Sequence, residues 1–135
     1  MVDSKTSGVV IKPAPAFVNE MGSITNIAFG EFRCVSWIHS MAGSFRSRHW
    51  HTNDSHVLYV VKGEMWYKER ELDGAYPAEW TKVMPGESVY TPALVVHQSY
   101  FPRATDVISM SKRDRDHASH ESDVNRVDEA WESVP

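Results

Sequence analysis

A chain of 135 residues with 41% apolar content is the size of one domain around one core. Its net charge of −4, from 14 Lys+Arg against 18 Asp+Glu, excludes nucleic acid as the main partner, because a phosphate-binding surface is basic. No apolar run reaches the roughly 18 residues of a membrane span, no secretory signal opens the chain, and the single Cys34 has no partner for an internal disulfide, so a cytoplasmic location is expected.

Residues 1–23 read as an N-terminal arm. Val9-Val10-Ile11 runs into Lys12-Pro13-Ala14-Pro15, and prolines lack the N–H that a central strand needs, so a strand here is confined to an edge. Residues 24–112 alternate strands and turns. Ile24 to Ile38 is rich in β-branched and aromatic residues, and Met41-Ala42-Gly43-Ser44 is a turn. Phe45–His51 and His56–Val61 read as strands. Lys62-Gly63 reverses the chain, and Glu64–Lys68 returns. Asp73-Gly74 and Pro85-Gly86 are further turns. Ser88–Thr91, Val95–Phe101 and Val107–Ser111 complete the strands. No long stretch carries helical periodicity. Many short strands with regular turns imply an all-β sandwich or barrel. Residues 113–135 form a charged tail, in which Val124–Val134 suits one short helix or no regular structure.

Histidine is the skewed residue type, with seven in the chain and His49, His51 and His56 close together. His49 and His51 are two apart, so on a strand both imidazoles point to one face, with α-carbons about 6.5–7 Å apart. Two rings so placed can converge on one ion at about 2.0–2.2 Å. A helix would set them about 200° apart. Such a pair alone is commonly just surface. The turn Thr52-Asn53-Asp54-Ser55 brings His56 back beside it, and His97, in Val95-Val96-His97-Gln98-Ser99, can close the site from another strand.

The wider spacing resembles the two-motif pattern of the cupin superfamily. Gly43 is followed after five residues by His49-Trp50-His51, after four more by His56 and after six more by Gly63; later Gly86, Pro92 and His97 follow in turn. The resemblance implies a single jelly-roll-like cupin β-barrel with a short C-terminal helix or tail, and the metal ligands His49, His51, His56 and His97. Position 56 is His where the family commonly keeps Glu. Leu94 and Phe101 replace the usual Gly and Asn. Four neutral imidazoles leave a divalent ion uncompensated, which favours an anionic ligand. Imidazole suits several metals; zinc is expected, with iron or nickel as alternatives.

If His97 faces inward, Val95, Ser99 and Phe101 do too, and Leu58 and Val60 accompany His56. On the return strand Met65 and Tyr67 form the apolar face. Met65, Tyr67, Ser99 and Phe101 are therefore the expected substrate contacts, although each also suits plain core filling. The expected cavity is mostly apolar, with few ionisable groups. Arg46 and Arg48 are expected on the face opposite His49, and His117 and His120 in an exposed tail. The apolar N-terminal arm suggests a homodimer.

A closer resemblance is carried by Arg48-His49-Trp50-His51-Thr52-Asn53-Asp54-Ser55-His56 through Tyr67, with Glu71-Leu72-Asp73-Gly74, which looks like small single-domain cupins that act as aromatic polyketide cyclases of the resistomycin and tetracenomycin type. It implies metal-dependent intramolecular aldol cyclisation and aromatisation of a poly-β-ketone in antibiotic biosynthesis. His97-Gln98-Ser99-Tyr100-Phe101-Pro102 is also similar to β-diketone-cleaving dioxygenases, so an Fe(II) dioxygenase is the alternative, and a non-catalytic metal- or ligand-binding cupin the third.

Overall fold

Short β-branched and aromatic segments, punctuated by Gly, Pro, Asn and Asp, become eleven strands and one helix in the computed structural model, which describes residues 8–135. In chain order they are β1 (Phe17–Asn19), β2 (Gly22–Ile24), β3 (Cys34–Ser40), β4 (Ser44–His51), β5 (His56–Lys62), β6 (Met65–Glu71), β7 (Thr81–Val83), β8 (Ser88–Thr91), β9 (Val95–Phe101), β10 (Thr105–Ser111), α1 (His117–Asp123) and β11 (Val124–Arg126). β1 and β2 pair with each other as a separate hairpin. The other strands form two antiparallel sheets, in the orders β3-β10-β5-β8 and β11-β4-β9-β6-β7.

Most connections cross from one sheet to the other, which is the jelly-roll arrangement of the cupin fold. The two sheets face each other and do not close into one continuous cylinder. Their inner faces supply the core: Leu58 and Val60 from β5, Met65 and Tyr67 from β6, Val83, Val89, Phe101 and Val107. The two-residue spacing of these pairs is the strand period expected of a half-buried sheet. Each fully buried side chain of this kind contributes about 1.5–3 kcal/mol. The β5–β6 turn demands glycine. Gly63 has φ +99°, and a Cβ there would stand 2.6 Å from the Ala104 carbonyl oxygen.

Several elements differ from the sequence expectation. Residues 25–33 contain no strand, and the extended run begins only at Cys34. Ile11 makes a single bridge to Ser88, on the edge strand of its sheet, while residues 1–7 of the expected arm lie outside the described residues. β7 is three residues long, too short for a periodic signal. The C-terminal helix lies earlier than Val124–Val134. Asp116 caps it by accepting the Ser119 N–H, and the chain then leaves the helix to pair as β11 with His49–His51. No helix among the described residues is long and apolar enough to cross a membrane.

Candidate metal and substrate site

β4 places His49 and His51 on its inner side, and β9 sets His97 directly opposite His49. His56 opens β5 in the facing sheet. Ring centroids lie 4.9 Å apart for His49–His51, 4.8 Å for His49–His97, 5.5 Å for His51–His97, 5.6 Å for His51–His56 and 5.4 Å for His56–His97. His49, His51 and His97 each offer a donor nitrogen, all within 4.8 Å of one another. His56 stands outside that tightest trio but against two of its rings.

The state of these rings suits ligation. Burial, then the neighbouring His97, holds His49 down to about 2. Burial, then Arg115, lowers His51 to about 4; burial, then His51, lowers His97 to about 3. Burial pushes His56 well below its ordinary value. All four are thus neutral near neutral pH, as ligands must be. His97 Nδ1–H donates to the Val95 carbonyl at 3.2 Å, which leaves Nε2 its lone pair. Asp123 Oδ2 is 3.4 Å from His51 Nδ1, within ion-pair range but not aligned as a hydrogen bond. Neither His51 nitrogen nor His56 Nδ1 has a hydrogen-bond partner. Buried polar atoms are rarely left so, and a borderline-soft divalent cation bound by imidazole nitrogen is the group that fits them.

The cavity beside these rings holds about 170 Å³. Leu58, Met65, Phe101 and Val107 form an apolar wall, and Ser99 adds a hydroxyl. Of the four expected substrate contacts, Met65, Ser99 and Phe101 line this cavity. Tyr67 does not. It is buried in the core with its hydroxyl 2.7 Å from Thr91 Oγ1 and donating to Glu69 at 3.0 Å, its ring 6.5 Å from that of His97.

Three cavity residues escape a reading of the strand period. Arg46 was expected opposite His49, yet it lines the same cavity. The reason is a bulge. Pairing with β9 shifts between Ser47 and His49, and both Ser47 (φ 79°) and Arg48 (φ 59°) are left-handed. The extra residue inverts the alternation, so Arg46, paired with Ser99, shares a face with His49, paired with His97. Arg46 Nε donates to Ser40 Oγ at 2.7 Å. Arg48 stacks 4.6 Å over the Trp131 ring.

Arg115 and His120 come from the charged tail. The Arg115 side chain is 13% exposed, with Nε 3.3 Å from Asp54 Oδ2. His120 was expected to be exposed; it is half-buried, with its ring 5.5 Å from that of His51. It borders both the inner cavity and a polar cavity of about 470 Å³ beyond it. Burial, then Arg115, lowers its pKa. The one available signal was the density of His, Asp and Arg between Arg113 and Asp123, which composition alone reads as a solvated tail.

No protein-family profile and no curated protein sequence matches this chain. Solved structures do match. The chain is similar to QdtA, a sugar 3,4-ketoisomerase from Thermoanaerobacterium thermosaccharolyticum solved with TDP (18% identity, 88% of this chain and 87% of that one, TM-score 0.67). It is also similar to dTDP-4-dehydrorhamnose 3,5-epimerase from Sulfolobus tokodaii (13%, 93% and 80%, TM-score 0.73) and to the WlaRB TDP-quinovose 3,4-ketoisomerase from Campylobacter jejuni (16%, 82% and 88%, TM-score 0.65). At these identities the likeness establishes the cupin fold.

These neighbours overturn the expectation of polyketide cyclisation, since they are sugar-nucleotide isomerases and epimerases. The cavity agrees with the correction. Arg46, Arg115 and His120 give it the ionisable groups that the apolar expectation lacked. The antibiotic-biosynthesis assignment and the alternative of β-diketone cleavage fall with it. So does the preference for zinc, because four imidazoles suit several divalent metals alike.

Proposed function

We propose that this chain is a metal-dependent isomerase that moves a proton between carbons beside a carbonyl group of a small, oxygen-rich substrate. One observation carries the reading: four clustered, neutral imidazoles, of which His49, His56 and His97 line a cavity whose other ionisable lining is Arg46, Arg115 and His120. Ketoisomerisation and epimerisation, for which the structural neighbours are named, are both proton transfers beside a carbonyl, which supports the same chemistry on this scaffold. His49, His51, His56 and His97 would hold a divalent cation, which when bound polarises a carbonyl oxygen and acidifies the neighbouring C–H.

The chain's own groups supply the rest. Leu58, Met65, Phe101 and Val107 exclude water from one side of the cavity. Arg46 brings positive charge to the cavity where an oxyanion develops. His120, outside the ligand set and neutral, takes the proton of the hydroxyl-bearing carbon at a ring nitrogen and returns it to the former carbonyl carbon, while the hydroxyl proton passes to the former carbonyl oxygen; its place between the two cavities also opens it to exchange with solvent. A homodimer belongs to the same reading, supported by exposed Val35 and Trp37 on edge strand β3 and by exposed Phe17, Val18 and Ile24 on the β1–β2 hairpin.

Proton NMR of small hydroxyketones and 2-oxo acids in D₂O tests the reading. Metal-loaded protein should exchange the C–H beside the carbonyl, with exchange lost in His49→Ala and reduced by about 10²-fold or more in His120→Gln. No exchange above the protein-free rate across the panel contradicts it.

A further inference from the structure

We propose that Arg115 receives a carboxylate, so that the cavity selects a small 2-oxo acid or keto sugar acid over a neutral ketone of the same size. The inference takes its reaction from the isomerase reading above, while the binding claim stands on Arg115 itself.

A guanidinium has five N–H donors in a rigid fork. At Arg115 one of them makes an aligned hydrogen bond, from Nη1 to Ser109 Oγ at 3.3 Å. Nε lies 3.3 Å from Asp54 Oδ2, yet is buried without an aligned acceptor. Asp54 faces the Nε edge, its Oδ1 also accepting the Arg113 N–H at 3.1 Å, while Nη2 makes no hydrogen bond to another described residue. Arg115 is therefore a mostly buried cation at a cavity wall with donor capacity to spare. A bidentate carboxylate is the planar acceptor that such a fork matches.

Charge balance points the same way. The four ligand candidates are neutral, so they offset none of a divalent cation's charge, while Asp54 beside it offsets that of Arg115. Asp123 is the other carboxylate nearby, and it accepts the N–H groups of Asn53 and Asp54 at 2.8 and 3.0 Å. Arg46 is engaged with Ser40 and the His39 carbonyl. The uncompensated charge of the ion thus draws an anion into the cavity, and Arg115 lines its wall. Volume and lining set its size: about 170 Å³ with an apolar wall suits a short carbon skeleton carrying one planar monoanion.

The test is calorimetric titration of the metal-loaded protein with pyruvate and with 2,3-butanedione, which keeps the dicarbonyl shape and replaces the carboxylate oxygen by a methyl group. Arg115→Met should weaken pyruvate binding at least tenfold and leave 2,3-butanedione within twofold, at unchanged metal content and circular dichroism. Arg115→Lys, which keeps the charge without the fork and guards against a variant that fails to fold, should fall between. A folded Arg115→Met or Arg115→Lys protein that binds pyruvate as wild type does overturns the proposal, as does wild-type protein that binds neither probe. Arg115-dependent pyruvate binding without any C–H exchange in D₂O would overturn the isomerase reading alone; exchange on neutral ketones with no effect of Arg115→Met on pyruvate would overturn this inference alone.

Discussion

Asp123 Oδ2 stands 3.4 Å from Nδ1 of the fully buried His51, although one residue ends α1 and the other ends β4. The same carboxylate accepts the backbone N–H of Asn53 and of Asp54, so it ties the β4–β5 loop to the C-terminal segment while facing the ring of a candidate ligand. Burial works against the charge of Asp123, but the N–H groups of Asp54 and Asn53 hold its carboxyl below the ordinary range, so it is ionised at neutral pH. A carboxylate behind a ligating imidazole fixes the ring and raises its basicity.

Asp123→Asn should therefore lower metal affinity by about 10–100-fold while the protein stays folded. Competition titration against a chromophoric chelator measures this. Affinity equal to wild type would remove Asp123 from the site's support.

The buried histidines make a pH prediction for the metal-free protein. In the unfolded chain each titrates near 6.5, whereas folded His51 is lowered to about 4, His97 to about 3 and His49 to about 2. Below 6.5 the unfolded chain gains protons that the folded chain refuses. The stability is thus fully present above about pH 6.5 and is lost as pH falls towards the folded values, by up to about 1.4 kcal/mol per pH unit for each histidine. Urea midpoints should drop steeply between about pH 6.5 and 4.5. A midpoint that is flat over that range would mean that the rings are not held neutral in the fold.

The histidine pattern and the strand period were legible in the sequence. His49 and His51 share a face because the chain is extended there, and Leu58, Val60, Met65 and Tyr67 fall on the core face for the same reason. Arg46 was not legible, because one extra residue at the Ser47–Arg48 bulge reverses the parity on which the strand argument rests. Arg115, His120 and Asp123 were hidden differently. Their segment is polar and shows no strand or helix period, and pairing of β11 with β4, the Asp123 hydrogen bonds and the contacts of Arg113 and Arg115 with Asp54 and Ser109 bring it to the site. Such contacts are remote in sequence and leave no local trace. The resemblance to polyketide cyclases followed the wording of the first motif and missed the charged half of the cavity.

Gly63 gives a test of the fold apart from the site. Gly63→Ala must place a Cβ 2.6 Å from the Ala104 carbonyl oxygen at a backbone φ of +99°. It should cost more than about 1 kcal/mol, seen as a lower denaturation midpoint at unchanged m-value. Wild-type stability would show that the β5–β6 turn is looser than described.

The central claim is that His49, His51, His56 and His97 form one metal centre. X-ray absorption spectroscopy on protein loaded with a divalent metal and dialysed free of excess tests it most directly. The account predicts one tightly held ion per chain with a first shell dominated by imidazole nitrogens at about 2.0–2.2 Å, and loss of one imidazole from that shell in His56→Ala. No retained metal, or a shell dominated by carboxylate oxygen or thiolate sulfur, would contradict it.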